Sequence, residues 1–175
     1  FLEVAGSSTG HLLPTGSAIN LIQGVEVTCM DVAMPMVIAR ASDFGLNGNE
    51  TREELDANRE FFERIESIRI EAGALMGMGD VSQSVTPKFG LLSSVSQINH
   101  VGCRYFMPWE THPTVAVTGS QCLASCALAR GTVADGLMQT DGTSPVLVTL
   151  HHPMGTMEVL VDYSSVAGEY INKSA

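Results

Sequence analysis

The sequence predicts an α+β fold. It has a curved, mostly antiparallel sheet wrapped around a central small-residue helix, with a second, amphipathic helix outside. About seven short runs have the alternation or the β-branched content of strands. They cluster as hairpins instead of alternating with helices, which argues against a doubly wound sheet. The two helical stretches also differ in kind. Residues 51–76 are two-faced, whereas residues 120–130 are apolar or small on most sides and belong inside.

In chain order, residues 1–20 are mixed, with turns at Ser7-Ser-Thr-Gly10 and Leu13-Pro-Thr-Gly16. Phe1-Leu-Glu-Val4 reads as a strand already under way, so the chain is expected to be a piece of a longer protein. Residues 25–30 alternate as a strand and residues 36–39 form another. Asp31 should end the first and Pro35 begin the second, through a bulged connection or a backbone shaped around a ligand. Thr51-Arg-Glu-Glu54 is a capping box, with Thr51 as N-cap. Behind it Leu55, Phe62, Ile65, Ile68, Ala72 and Leu75 recur at helical spacing. The opposite face should be solvated, with Arg59–Glu63 and Glu60–Arg64 pairing one turn apart. Gly77 and Gly79 should stop this helix. Further strands are expected at 86–92, 103–107, 115–117, 145–150 and 157–162, with His151-His-Pro-Met-Gly155 as a hairpin connection.

The chain has 175 residues, 45% hydrophobic and 16% charged, enough for one domain with a sizeable core. Its net charge is −10, and its nine basic residues are scattered without a run. A nucleic-acid partner and an anionic membrane surface are therefore not expected. No apolar run reaches the roughly 18 residues of a membrane span. Cys29, Cys103, Cys122 and Cys126 form no Cys-x-x-Cys pair and no zinc spacing. They are expected to be buried and reduced, as in a cytoplasmic protein. No metal and no cofactor is expected.

The chemistry centres on Thr118-Gly119-Ser120. There a β-type run should turn into the small-residue helix, so free backbone N–H groups converge on a partial positive charge. Such a point accepts a carboxylate or phosphate, although a plain capped turn has the same local sequence. His112, just upstream, is a further donor for an anion or a structural histidine before Pro113. Cys122 should lie at the third or fourth helical position, pointing inward. Lys88 is either a surface lysine or a charged contact. His151 and His152, in a turn, should point to opposite sides and hold no metal.

Longer motifs add a resemblance. Val27-Thr-Cys-Met-Asp-Val-Ala-Met-Pro-Met-Val-Ile38, Arg64-Ile-Glu-Ser-Ile-Arg69, Met76-Gly-Met-Gly-Asp-Val81, Arg104-Tyr-Phe-Met-Pro108 and Ala116-Val-Thr-Gly119 follow one another as in the PrpF family. This family comprises aconitate and methylitaconate isomerases and 4-oxalomesaconate tautomerases, relatives of diaminopimelate epimerase. The chain is most similar to the oxalomesaconate branch. The resemblance implies two similar domains with the active site between them, of which residues 1–175 match the second. It implies an allylic proton shift on an unsaturated di- or tricarboxylic acid. The lysine and cysteine that the family uses for catalysis would belong to the absent N-terminal domain, so no residue here is assigned as acid or base. Met34 stands where the epimerase relatives carry an asparagine, and Ala116 where they carry a second cysteine, so a two-thiol mechanism is not implied. Thr118, Gly119 and Ser120 would hold a substrate carboxylate, with His112, Met34 and Pro35 lining the cleft. A non-catalytic domain that binds a small acid or pairs with another subunit is the alternative. In isolation the face meant for the first domain would favour self-association into a homo-oligomer.

Overall fold

The computed structural model describes residues 5–166 and 169–174; the strand expected at residues 1–4 lies outside them. Eight strands pair in sequence order in one sheet. They are β1 (Asn20–Ile22), β2 (Val25–Val32), β3 (Met34–Arg40), β4 (Lys88–Ser94), β5 (His100–Phe106), β6 (Val146–His152), β7 (Gly155–Val166) and β8 (Glu169–Ser174). The sheet is mostly antiparallel, as expected; β3–β4 and β5–β6 are parallel.

Those two parallel steps carry the helices, because a parallel pair needs a long crossover. Between β3 and β4 lie α1 (Arg52–Asp56) and α2 (Arg59–Leu75); between β5 and β6 lies α3 (Val117–Leu128). The strand direction reverses from β4 to β5 while the chain advances the same way across the sheet. Right-handed crossovers then put the two sets of helices on opposite faces. The core divides accordingly. Leu55, Phe61, Ile65, Ile68 and Ala72 pack with Val37, Phe89, Leu91 and Phe106 on one side. Cys122, Leu123, Ala124 and Cys126 of α3 pack with Met30, Met36, Tyr105, Val148 and Val161 on the other. The small side chains of α3 let the strands β2 to β7 curve closely around it, and nine of its residues are buried.

The outer helix departs from the expected single rod. Thr51 forms the capping box with Glu54, but α1 lasts only to Asp56, and Asn58 starts α2 by accepting from the Phe61 N–H at 3.1 Å. An Asn that bonds ahead of itself is a better cap than a mid-helix residue. Phe61 takes the buried place expected of Phe62, and Leu75 is half exposed. Arg59 pairs with Glu63 at 2.9 Å as expected. Arg64 instead lies over the Phe44 ring, 5.1 Å from its centre. The helix ends as Gly77 adopts φ 76° and Met78 N–H reaches back to the Gly73 carbonyl.

Two connections also differ from expectation. β2 and β3 run on through the expected bulge, with Asp31 opposite Pro35 and only Ala33, at φ 58°, turning the chain. His151 and His152 end β6 within the sheet, and residues 153 and 154 make the turn. Asp31 is fully buried and anchors the segment ahead of β1. Its Oδ2 accepts from the Ser8 and Thr9 N–H groups at 2.8 and 2.7 Å and from the Thr9 hydroxyl at 2.9 Å; Oδ1 accepts from the Ser7 hydroxyl. The backbone shaped around Asp31 is thus the chain's own.

Candidate carboxylate site at the start of the buried helix

The run at 115–117 is not a strand. β6 covers only His100 to Gly102 of β5, and the edge beyond is taken by Thr111, bridged to Phe106, and by the His112 backbone N–H on the Tyr105 carbonyl. Val115 is buried, Ala116 is the N-cap in an extended conformation (ψ 146°), and the helix begins at Val117. Thr118, Gly119 and Ser120 are therefore in its first turn and not in a turn before it.

This shift selects the donors. The Ser120 N–H bonds to the Ala116 carbonyl at 2.8 Å, and its hydroxyl to the Val117 carbonyl at 2.7 Å. Ser120 is buried, with both donors taken. The N–H groups of Val117, Thr118 and Gly119 have no acceptor among the described residues, and Ala116 has no side chain that could cap them. They are the orphan donors of a helix N-terminus, aligned with its dipole.

Gly119 fixes where this turn sits. A Cβ there would lie 2.3 Å from Cε2 of Tyr105, so only glycine lets the helix start rest on the ring. Tyr105 is buried in β5, and burial pushes its phenol up to about 12. His112 meets the same ring edge-on at 5.7 Å, and its N–H donates to the Tyr105 carbonyl. The Thr114 backbone N–H donates to His112 Nδ1 at 3.1 Å. A backbone N–H cannot accept, so Nδ1 carries no proton in this arrangement and the neutral ring holds its proton on Nε2. His112 thus offers an Nε2–H donor, and Tyr105 supports both it and the helix start.

The other expected residues sort by geometry. Met34 packs, partly buried, against the core cluster that contains Tyr105 and Cys122. Pro35 is buried in β3 opposite Asp31. Cys122 is the sixth residue of α3 and not its third or fourth. It is fully buried, and burial raises its thiol well above 9.0. Burial likewise pushes Cys29, Cys103 and Cys126 up to about 12. None of these thiols is a base near neutral pH. Lys88 is half-buried, and burial followed by the nearby Arg69 lowers its ammonium below the usual lysine range. Beside the first turns of α3, a groove of about 500 Å³ runs along Met157 to Leu160 of β7. Among the described residues no group of three or more His, Cys, Asp or Glu is placed to hold a metal ion. Tyr105 and Val117 escaped the sequence reading. Their roles depend on a contact between two elements, which leaves no local pattern.

The family model described as PrpF protein matches residues 1–174. The chain belongs to the PrpF family. This PrpF-family chain is 39% identical over 170 residues to a 4-oxalomesaconate tautomerase of Pseudomonas putida, covering 96% of the chain and 47% of that relative. It is 36% identical over 162 residues to a (4E)-oxalomesaconate Delta-isomerase of Novosphingobium sp., covering 93% and 45%. It also matches the crystal structure of methylitaconate-delta-isomerase with a TM-score of 0.85 at 22% identity, over 97% of this chain and 49% of that one. The latter likeness establishes a shared fold. The PrpF-family chain spans about half the length of the curated relatives it matches.

Proposed function

We propose that this chain forms one half of the catalytic unit of an isomerase that shifts a proton along the allylic system of an unsaturated di- or tricarboxylic acid such as 4-oxalomesaconate. The observation that carries this reading is the uncapped start of α3. Three N–H groups have no acceptor among the described residues, and the imidazole that presents Nε2–H meets the same Tyr105 ring on which the helix start rests. In this reading the N–H groups of Val117, Thr118 and Gly119 bind one substrate carboxylate. His112 donates to the same group or to the enolate oxygen that forms as the C–H proton leaves. Met34 lines the cleft, and buried Pro35 and Ser120 shape it without contacting substrate.

The acid and base belong to the other half, an N-terminal domain of the same protein in this reading, with the two halves closing over the substrate in a diaminopimelate epimerase-like arrangement. The high thiol pKa values here support that division. So does apolar surface beside the site: Val117 is 67% exposed and Leu160 41%. The reaction needs no cofactor, since a carbanion next to a carbonyl is stabilised by hydrogen bonds alone. Reduced, buried cysteines fit a cytoplasmic setting.

His112→Gln in the full-length protein tests the reading. A hydrogen bond to a charged group contributes about 1.5–3 kcal/mol, so kcat/KM for 4-oxalomesaconate should fall roughly ten- to hundredfold. Unchanged kcat/KM would remove His112 from the site. Binding of the acid without turnover by the full-length wild type would favour a non-catalytic, acid-binding domain instead.

A further inference from the structure

Two arginines are buried in this chain, and their surroundings differ. Arg69 is sealed and held by both oxygens of Glu66, at 2.6 and 2.8 Å, and by the carbonyls of Val81 and Pro87. Arg104 is 5% exposed and has no carboxylate within ion-pair distance among the described residues. Its Nε donates to the Glu50 carbonyl at 2.8 Å. Its Nη1 donates to the carbonyls of Cys103 and His151 at 2.7 and 3.5 Å. Glu50 is near enough to feel the charge, but its two carboxylate oxygens accept from the N–H groups of Asn47 and Gly48. Arg104 Nη2 has no acceptor among the described residues. It is also absent from the sealed polar atoms that lack a partner, so it reaches open space.

Arg104 lines a cavity of about 350 Å³ together with Asn49, Ser93, His151 and His152. Its floor is built closely. A Cβ on Gly48 would lie 2.1 Å from Ser93 Oγ and one on Gly102 would lie 2.2 Å from it. Both glycines therefore make room for a hydroxyl that has no partner of its own among the described residues. His151 Nε2 lies 2.7 Å from His100 Nδ1, so these two rings share one proton in their neutral forms. Arg104 stands on β5 between Cys103 and Tyr105, which face α3, and so it projects from the other face of the sheet. The cavity is separate from the start of α3 and does not rest on the reading of that site.

A buried guanidinium whose partners are all neutral, with an N–H open to a polar cavity, is an incomplete ion pair. We propose that this cavity is a binding site for a small oxyanion, a phosphate or a short carboxylate. Arg104 Nη2 is its charged donor, and the Ser93 hydroxyl, the Asn49 amide and the His151 imidazole surround the ligand. Charge-assisted bonds to a planar guanidinium suit both chemistries.

The test uses the full-length protein and titrates phosphate and malonate separately against chloride at matched ionic strength. Melting temperature and the histidine ring resonances are followed. One of the two anions should raise the melting temperature saturably and draw His151 toward its protonated form, since a neighbouring anion favours imidazolium. Asn49→Asp, at an exposed loop position, supplies an internal carboxylate and should weaken that binding at least tenfold; Arg104→Met should abolish it. If Arg104→Met fails to fold, Asn49→Asp still decides. Malonate binding that is lost in His112→Gln and kept in Asn49→Asp belongs to the α3 site. Were that the only saturable binding seen, or were neither anion to act beyond chloride, or were binding indifferent to Asn49→Asp, the proposal would be overturned.

Discussion

Substituting Gly119 by alanine tests the link between packing and the candidate site most directly. The added Cβ would meet three ring carbons of Tyr105, at 2.3, 2.9 and 3.0 Å. A comfortable carbon–carbon separation is about 3.5 Å, so roughly 1 Å of movement is needed. A rigid ring that is 1% exposed in a central strand cannot supply it, so the start of α3 must lift. Overpacking of this kind costs about 1–3 kcal/mol. Alanine regains up to about 1 kcal/mol through its helix propensity. The net loss of up to about 2 kcal/mol lowers the melting temperature by up to roughly 8 °C for a chain of this size. The kinetic effect should be larger than the thermal one. A misplacement of about 1 Å at a site that orients substrate lowers kcat/KM by roughly a hundredfold. Thermal melts and steady-state kinetics on the full-length protein give both numbers. Gly90→Ala is the control. Its Cβ would meet only the tips of Leu123 and Met36, at 2.8 and 2.9 Å, which rotate away, so stability should fall modestly and kcat/KM should hold. If Gly119→Ala leaves both quantities at their wild-type values, the contact with Tyr105 does not set the position of the helix start.

Two further outcomes follow from the buried polar and titratable groups. Asp31→Asn keeps the shape but loses the charge and turns an amide toward hydrogen-bond donors. With four donors on the carboxylate, the loss should be about 2–4 kcal/mol, and residues 5–12 should become the first protease-sensitive segment. Intact loop protection in that variant would contradict the anchoring role. The four buried thiols should make the fold sensitive to alkali. Their folded pKa values lie above the unfolded value of 9.0. Above pH 9 the unfolded chain therefore releases protons that the folded chain keeps, and stability falls as pH rises, by about 1.4 kcal/mol per pH unit for each thiol. Cys29→Ala should flatten the dependence of stability on pH between pH 9 and 11 by one such share, whatever it does to stability at pH 7; an unaltered slope would show that Cys29 ionises without unfolding.

Much of the fold was legible because its signals are local. The capping box at Thr51, the alternation of residues 25–30 and the all-round smallness of 122–127 each report the environment of their own segment. Family membership was legible too, since the motifs run in order along the whole chain. The candidate site was legible only in outline. Thr118, Gly119 and His112 stay in the proposed set, but the unbonded N–H groups lie one residue nearer the N-terminus than expected, with Val117 in place of Ser120.

The sequence by itself determined that a small-residue helix is buried and that the cysteines are apolar packing. Only the tertiary structure decided which N–H groups are orphaned, because that depends on where the helix begins. It also decided the fates of the two buried arginines. Arg69 meets its carboxylate three residues away on its own helix, a spacing the sequence displays. Arg104 depends on β6 and on the loop at residues 47–50 for its partners, and no periodicity records which groups a fold brings together from such distances.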